Sequence, residues 1–201
     1  MDIGGIVLAG GCGLRLGRDK ASEIVGPQSL LEWVLARLDF LDGEILLITA
    51  GGPSGVGFPV HPRVRVVSDI YPGKGPLGGI YTGLRQAAAS YNLVVACDMP
   101  FLNRALLEHM ISVAAGFDLV LPRVGDLLEP LHAIYTRACL QPMEYLLDSG
   151  RLSVREVFGH VRVRYVEAEE MERFDPGHLS FFNVNTKSDL MRAKGLMRGG
   201  I

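Results

Sequence analysis

Short runs of consecutive apolar residues, separated by stretches of helical periodicity, place the strongest constraint on the fold of this chain. Runs such as Ile45–Thr49 are apolar nearly throughout and do not alternate with polar residues. Strands of this kind are typical of parallel sheets that helices cover on both faces. Parallel neighbours need crossover connections, which the helical stretches between the runs supply. The pattern therefore predicts one α/β domain over residues 1–201, doubly wound, with three layers and a mostly parallel sheet.

The predicted strands and helices alternate along the chain. Strands are predicted at residues 6–9, 45–49, 64–68, 93–97, 119–121, 132–135 and 161–166. Helices are predicted at residues 30–38, 77–89, 106–113, 138–147 and 189–197. In a sheet of this type, ligands bind beyond the C-terminal ends of the strands. The residues that directly follow the apolar runs are therefore the first candidates for function.

Charge and composition argue against several functional classes. The chain has 20 Lys and Arg against 22 Asp and Glu, a net charge of −2, which disfavours broad binding of nucleic acid. No apolar run approaches the roughly 18 residues of a membrane span, and the N-terminus lacks the features of a signal peptide. The cysteines, Cys12, Cys97 and Cys139, form neither a CxxC pair nor a zinc cluster. We therefore expect a cytoplasmic protein without membrane or nucleic-acid partners.

The first predicted strand ends in a glycine-rich, basic loop, GGCGLRLGRDK at residues 10–20. Glycines let backbone N–H groups approach an anion closely, and Arg15, Arg18 and Lys20 can neutralise a polyphosphate. The dinucleotide motif GxGxxG fails because position 16 is Leu, and the Walker motif fails because no GK[ST] follows. The residues leave two interpretations open: a phosphate cradle or an ordinary strand-to-helix turn.

A carboxylate follows each of two further predicted strands. Asp69 ends the run VRVVSD, and Asp98 ends the run LVVACD. Asp69 is either a hydrogen-bond acceptor for a base or sugar, or a turn or capping residue. Asp98 is either a ligand for Mg²⁺, which takes few protein ligands, or together with Pro100 part of a helix N-terminus. Because the strand ends converge, the glycine loop, the cations and a metal carboxylate together predict a nucleoside triphosphate site.

Five motifs, in order along the chain, resemble the nucleotidyltransferases related to molybdenum cofactor guanylyltransferase, the MobA-like proteins. LAGGCGLRLGRDK is similar to the LAGGxSxRMGxDK signature of that family. Asp69 with GPLGGI resembles its D…GPLxG segment, and CDMPFL resembles its CDxPF segment. EPLHAIY and NVNTKSDL resemble its PLxAxY and NxNTPxDL segments. The matches run from residue 6 to residue 190, across almost the whole chain.

The resemblance implies both a fold and an activity. The implied fold is that of the nucleotide-diphospho-sugar transferases, which is Rossmann-like. The implied reaction is guanylyl transfer, in which the phosphate of the molybdopterin-bound molybdenum cofactor attacks the α-phosphorus of GTP and pyrophosphate leaves. Mg²⁺ is the implied cofactor, and cofactor-delivering proteins are implied as further partners. Positioning and charge neutralisation dominate in chemistry of this kind.

The resemblance also assigns residues to the nucleotide. Arg15 and Lys20 would hold the phosphates, and with Asp98 they are the predicted catalytic residues. Thr49 falls where the family has a small polar residue against the base or ribose, and Asp69 would bind the guanosine part. Backbone contacts with the nucleotide are implied for Leu8, Ala9, Gly10, Gly11 and Gly13.

The metal and the acceptor are implied to lie on the other side of the site. Asp98 would carry Mg²⁺ as well as contact the nucleotide. Asn183 and Asn185 would close the acceptor side, and Asn185 is also a candidate second metal ligand. The histidines show no metal-binding spacing and are predicted to be surface or capping residues. His132 is in addition a candidate for the acceptor side.

Two alternatives remain beside guanylyl transfer. One is a sister enzyme of the same fold, either a molybdopterin cytidylyltransferase or another transferase for a small acceptor. Gly10 and Gly11 after Ala9 favour the guanylyl branch, because cytidylyl relatives usually read LAAG. The other alternative is a non-catalytic protein that binds GTP or the cofactor. Such a protein need not keep both the metal carboxylate Asp98 and the phosphate-binding Lys20.

Overall fold

Eight strands form the main sheet in the part of the chain that the structure describes, residues 2–9, 23–51 and 62–198 of a computed structural model. The strands of the described residues are β1 (Ile3–Leu8), β2 (Ile24–Val25), β3 (Gln28–Ser29), β4 (Ile45–Thr49), β5 (Val64–Ser68), β6 (Tyr91–Ala96), β7 (Leu119–Val124), β8 (Leu127–Leu128), β9 (His132–Thr136) and β10 (Val163–Glu167). The order of the main sheet is β10-β7-β9-β6-β1-β4-β5, with β8 paired to β7, and β2 and β3 form a separate hairpin.

Most neighbouring strands of the main sheet run parallel. β1 pairs in parallel with both β4 and β6, β4 pairs in parallel with β5, and β10 pairs in parallel with β7. β9 is antiparallel to β6 and to β7, and β8 is antiparallel to β7. The C-terminal ends of β5, β4, β1 and β6 therefore lie side by side along one edge of the sheet, as the sequence predicts for a nucleotide site.

Helices cover both faces of the sheet and complete the three layers. The helices are α1 (Leu30–Arg37), α2 (Gly75–Gln86), α3 (Arg104–Ser112), α4 (Leu140–Asp148), α5 (Ala168–Met171) and α6 (Lys187–Arg198). The cluster on one face combines apolar side chains of α1, α3 and α5 with alternate strand residues such as Val7 and Leu47. The cluster on the other face combines α2 and α4 with Ile6 and Leu46, because successive side chains of a strand point to opposite faces.

The predicted three-layer, mostly parallel α/β fold is confirmed, with small shifts of the element ends. The predicted helix at 77–89 begins at Gly75, because Pro76 is accepted in the first turn of a helix. The predicted strand at 161–166 begins two residues later and ends one residue later, at Val163–Glu167. The hairpin β2–β3 and the short α5 have no periodicity to reveal them. Among the described residues, no helix is long and apolar enough to cross a membrane.

Helix α2 packs unusually close to β1, because glycines face the strand. A Cβ atom at Gly83 would lie 2.6 Å from Cγ2 of Ile6, a side chain that is fully buried in the core. A Cβ atom at Gly79 would lie 3.2 Å from Cδ2 of Leu8. Glycine weakens a helix, so the close approach of helix and strand accounts for its presence here.

This packing predicts that Gly83→Ala destabilises the protein although alanine is the better helix former. The added methyl group would press on the branched end of Ile6, and overpacking of this kind costs about 1–3 kcal/mol. We expect urea unfolding to show a loss of that size in the free energy of unfolding.

Gly195→Ala is the matched control for this substitution. Gly195 is an exposed glycine of α6, and a Cβ atom there would meet nothing within 4 Å. We expect this variant to gain up to about 1 kcal/mol from helix propensity alone. A gain of stability at both positions would contradict the close packing of α2 on β1.

Candidate active site

A cavity of about 510 Å³ lies at the C-terminal ends of the parallel strands. The N-terminal end of α2 borders it through Gly75 and Pro76, and Ile48 of β4 contributes an apolar wall. The structure thus brings together residues that are far apart in the sequence. Five of the predicted site residues line the cavity: Leu8, Asp69, Asp98, Asn183 and Asn185.

Backbone hydrogen bonds between neighbouring strands continue one residue past the strand ends. They fix the backbone positions from which Asp69 and Asp98 extend. The amide of Asp69 donates to the carbonyl of Thr49 at 2.8 Å, which continues the pairing of β5 with β4. The amide of Cys97 donates to the carbonyl of Leu8 at 3.1 Å, which continues the pairing of β6 with β1. Asp98 follows directly and is half-buried. The sheet itself therefore sets where both carboxylates leave the backbone.

Asp69 combines the two roles that its sequence position left open. Its Oδ1 accepts hydrogen bonds from the amide of Tyr71 at 2.9 Å and from the hydroxyl of Thr82 at 2.7 Å. The contact with Tyr71, two residues on, is typical of an Asx-turn. Asp69 also lines the cavity. It is thus both a turn residue and a candidate ligand-binding residue.

A segment near the C-terminus, residues 175–185, closes the cavity opposite the sheet, and we call it the strap. The carboxylate of Asp175, which is 6% exposed, accepts from the amides of Leu179 at 3.1 Å and Ser180 at 2.8 Å. The Ser180 hydroxyl in turn accepts from the amide of Asn103 at 3.0 Å. Asn103 caps the N-terminus of α3, so the strap is tied to that helix.

The C-terminal end of the strap is hydrogen-bonded to the turn that carries Asp98, the candidate metal ligand, and leads into α6. The amide of Val184 donates to the carbonyl of Asp98 at 2.9 Å, so Asn183 and Asn185 flank a residue bonded to that turn. The carboxylate of Asp189 accepts from the amide of Thr186 at 2.8 Å, and the Thr186 hydroxyl accepts from the amide of Asp189 at 3.1 Å. This capping box begins α6 and lowers the pKa of Asp189, chiefly through the Thr186 hydroxyl. The NVNTKSDL motif therefore places two asparagines and starts a helix.

Thr49 and Ala9 lie on the opposite side of the sheet edge from the cavity. Leu8 and Ile48 pack with the α2 face, whereas the next residue along each strand points to the α1 face. The Thr49 hydroxyl is buried and donates to the carbonyl of Gly51 at 2.8 Å. The structure therefore does not bring the Thr49 side chain together with Asp69 and the other wall residues.

The predicted phosphate-binding residues lie outside the described residues. These are Gly10, Gly11, Gly13, Arg15 and Lys20. Their contacts with a nucleotide stay predictions from the sequence. The described part of the cavity contributes the carboxylates of Asp69 and Asp98 and the side-chain amides of Asn183 and Asn185.

Comparison with known proteins identifies relatives that match along nearly the whole chain. A family model described as MobA-like NTP transferase domain matches residues 5–165. A probable molybdenum cofactor guanylyltransferase of Pelotomaculum thermopropionicum is 37% identical over 94% of this chain and 91% of its own length. A molybdenum cofactor guanylyltransferase of Desulfosudis oleivorans is 30% identical over 98% of this chain and 96% of its own length.

Solved structures give the same picture of the fold. Molybdopterin-guanine dinucleotide biosynthesis protein A from Archaeoglobus fulgidus superposes with a TM-score of 0.85 and 28% identity, covering 98% of this chain and 99% of that chain. The 2-C-methyl-D-erythritol 4-phosphate cytidylyltransferase of Thermus thermophilus has a TM-score of 0.73 and 19% identity over 98% of this chain and 100% of its own. At this level of identity, the similarity to the cytidylyltransferase shows a shared fold and nothing about the reaction.

His132 is buried beneath the cavity and not exposed to it. It is 0% exposed, and its ring lies edge-on to Phe181 of the strap at 5.0 Å between centroids. The prediction that the histidines are surface or capping residues is wrong for His132, because β9 enters the sheet at this residue. Its neighbour Leu131 lines the cavity instead. Burial lowers the pKa of His132 to about 4, and the nearby charge of Asp175 opposes that shift only in part.

The lowered pKa of His132 predicts a pH-dependent stability. Between pH 6.5 and about 4 the unfolded chain binds a proton at His132 and the folded chain does not, so stability falls as the pH falls through this window. The difference between the two pKa values corresponds to about 3 kcal/mol. We expect His132→Leu to flatten the plot of unfolding free energy against pH by about that amount, measured by urea unfolding.

His160→Gln serves as the control for the pH series. His160 is exposed at the end of a 3₁₀ helix, and its removal should leave the slope unchanged. An equal slope in the His132→Leu variant and the unsubstituted protein would show that His132 is not buried as a neutral ring.

Proposed function

Because the chain belongs to the family of MobA-like NTP transferase domains, we propose that it transfers GMP from GTP to the phosphate of molybdopterin or its molybdenum cofactor. The product is the guanine dinucleotide form of the cofactor, and pyrophosphate is released. The observation that carries this proposal is the similarity, over more than nine-tenths of the chain, to relatives named molybdenum cofactor guanylyltransferase. The chain is a nucleotidyltransferase by family, and GTP and the acceptor are the specific part of the proposal.

The proposed reaction exchanges one phosphoanhydride bond for another. An oxygen of the acceptor phosphate forms a bond with the α-phosphorus of GTP. The bond from that phosphorus to the oxygen bridging to the β-phosphate breaks, and pyrophosphate leaves with the electron pair. The protein has little covalent work to do here, so it acts by aligning the two phosphates and balancing their charge.

The placement of the two carboxylates fits a nucleotide stretched across the strand ends. Asp69 and Asp98 follow β5 and β6, which are separated by β4 and β1, a lateral distance of about 14 Å at ordinary strand spacing. We assign the guanosine end to Asp69 and the phosphate end to Asp98. Arg15 and Lys20 complete the phosphate end in this proposal. The acceptor then approaches from the strap, past Asn183 and Asn185.

The donor chemistry around Asp98 suits Mg²⁺, which we propose as the cofactor. Mg²⁺ prefers oxygen ligands, takes one or two carboxylates from the protein and shares its remaining positions with water and phosphate oxygens. The cavity offers the Asp98 carboxylate and the side-chain amides of Asn183 and Asn185. In the part of the chain that the structure describes, no group of three or more acidic, histidine or cysteine side chains forms a denser metal site. When bound, the ion would neutralise negative charge on the triphosphate.

Two further parts of the proposal rest on the sequence. We place the reaction in the cytoplasm, because the cysteine pattern favours a reducing compartment. We also expect partner proteins that deliver the molybdenum cofactor to this enzyme.

The test of the proposed function is pyrophosphate release in the presence of Mg²⁺. GTP and CTP are compared, each with and without a molybdopterin-type acceptor. We expect release that requires both GTP and the acceptor. A preference for CTP would move the protein to the cytidylyl alternative, and GTP binding without any release would point to a non-catalytic binding protein.

The role assigned to Asp98 predicts a selective loss of turnover. Asp98→Asn keeps the size of the side chain and the backbone carbonyl that holds the strap, but removes the negative charge. We expect turnover to fall by about a hundredfold or more, with an unchanged urea midpoint.

Asp148→Asn is the matched control, since Asp148 is an exposed carboxylate at the end of α4. This variant should keep full turnover and full stability. Near-normal turnover of Asp98→Asn would remove Asp98 from the proposed metal site, whatever the outcome for the control.

A further inference from the structure

Among the described residues, the hydrogen-bond donors to the carboxylate of Asp69 all bind one of its two oxygens. Both hydrogen bonds that it accepts within the described part of the chain go to Oδ1, from the Thr82 hydroxyl and from the Tyr71 amide. An ionised carboxylate has acceptor positions on both oxygens. Because Asp69 lines the cavity, saturation of Oδ1 leaves Oδ2 as the oxygen with acceptor capacity for a ligand.

Thr82 is built into α2 in a way that fixes the direction of its proton. Its side chain is fully buried, and its hydroxyl accepts from the amide of Ile70 at 3.1 Å while it donates to Asp69 at 2.7 Å. A hydroxyl carries a single proton, so acceptance from Ile70 leaves that proton for Asp69. A threonine inside a helix often bonds to its own helix backbone, whereas this one reaches the loop after β5.

The Thr82 side chain therefore connects a rigid helix to a cavity carboxylate. Helix α2 is itself fixed by its close packing on β1, and Thr82 lies one residue before the contact at Gly83. The hydrogen bond from the Ile70 amide limits where the hydroxyl can go. The sheet thus fixes the backbone of Asp69, and α2 fixes the orientation of the Asp69 carboxylate through Thr82.

We propose that Thr82 is a positioning residue that orients Asp69 for selection of guanine, an inference that rests on the proposed GTP-dependent function. Oδ2 of an oriented Asp69 carboxylate accepts from the N–H donors of guanine, its N1–H and its exocyclic amino group. Cytosine presents an acceptor nitrogen beside its amino group, and the same oxygen meets a lone pair there. The Thr82 hydroxyl contributes to the choice of base without touching it.

A purely structural role for Thr82 makes a different prediction. In that case the hydroxyl only satisfies the Ile70 amide and stabilises the turn after β5, so its loss would weaken every nucleotide equally. If Thr82 instead positions Asp69, the loss of nucleotide affinity depends on which hydrogen-bond donors the base carries. ITP separates the two roles, because it lacks the exocyclic amino group of GTP and is otherwise the same nucleotide.

The experiment compares three variants of the full chain with the unsubstituted protein. Thr82→Val keeps the shape of the side chain and removes the hydroxyl, whereas Thr82→Ser keeps the hydroxyl. Tyr81→Phe is the matched control, because it removes the adjacent hydroxyl of the same helix, which donates to Glu144 at 2.8 Å. Steady-state pyrophosphate release gives KM and kcat for GTP and for ITP, and urea unfolding reports stability.

We expect Thr82→Val to raise KM for GTP about tenfold with kcat little changed, and to raise KM for ITP much less. Thr82→Ser should restore GTP kinetics, and Tyr81→Phe should leave both nucleotides unaffected. Equal losses with GTP and ITP, or a loss in kcat alone, would overturn the positioning role. The same loss in Tyr81→Phe would also overturn it, since it would reflect a general disturbance of α2.

Calorimetric titration of GTP and ITP separates this inference from the proposed reaction. If the unsubstituted protein binds GTP but releases no pyrophosphate, the transferase assignment fails while the binding data still test Thr82. A weaker affinity of Thr82→Val for GTP, with ITP affinity retained, then supports the positioning role. If the unsubstituted protein binds ITP as tightly as GTP, Asp69 does not select the amino group and the inference fails.

Discussion

Helix α2 lies against β1 through glycines instead of side chains, and this close packing determines where the cavity forms. Gly79 and Gly83 let the helix approach Leu8 and Ile6, so the start of α2 comes to the C-terminal edge of the sheet. There Gly75 and Pro76 form part of the cavity wall. The packing of α2 on β1 also brings the Thr82 hydroxyl within hydrogen-bond distance of Asp69. Bulkier residues at the glycine positions would lift the helix and change both the wall and the carboxylate.

The opposite wall is held by a polar network as well as by the apolar packing of Val184 and Phe182. Asp175 binds two backbone amides of the strap, and Ser180 binds the amide of Asn103 at the start of α3. Each of these groups is shielded from water in part, so breaking one bond would leave a partner unsatisfied. Hydrogen bonds also have directions, which apolar contacts do not. The strap is therefore held in one position relative to Asp98.

Much of this arrangement follows from local sequence patterns. The continuous apolar runs predict parallel strands, and the carboxylates after two of those runs predict a shared site, because parallel strands end at the same edge. Asp69 and Asp98 are accordingly found in one cavity. The capping signals S-x-x-E at Ser29 and T-x-x-D at Thr186 likewise mark the helix starts seen at α1 and α6.

Other features depend on contacts that no local pattern reveals. The apolar run of β9 resembles the runs of the parallel strands, yet β9 is antiparallel to the strands on both sides of it and buries His132. Thr49 follows a strand as Asp69 does, but the alternation of side chains turns it away from the cavity. Thr82 carries no sequence signal, because its role arises from a contact with a residue 13 positions earlier. The bond from Asn103 to Ser180 spans 77 positions and is equally invisible in the sequence.

The division of the cavity along the chain has a consequence for how such enzymes diversify. The end assigned to the nucleoside is built from residues before position 99, whereas the strap that faces it comes from residues 175–185. One link between them is the bond from Val184 to the carbonyl of Asp98, which uses backbone atoms only. Val184 also packs with Val25 and Leu30 in an apolar cluster. Under the proposed assignment of the two ends, substitutions of cavity-lining residues in the strap would change which acceptor is admitted and leave the nucleotide end unchanged.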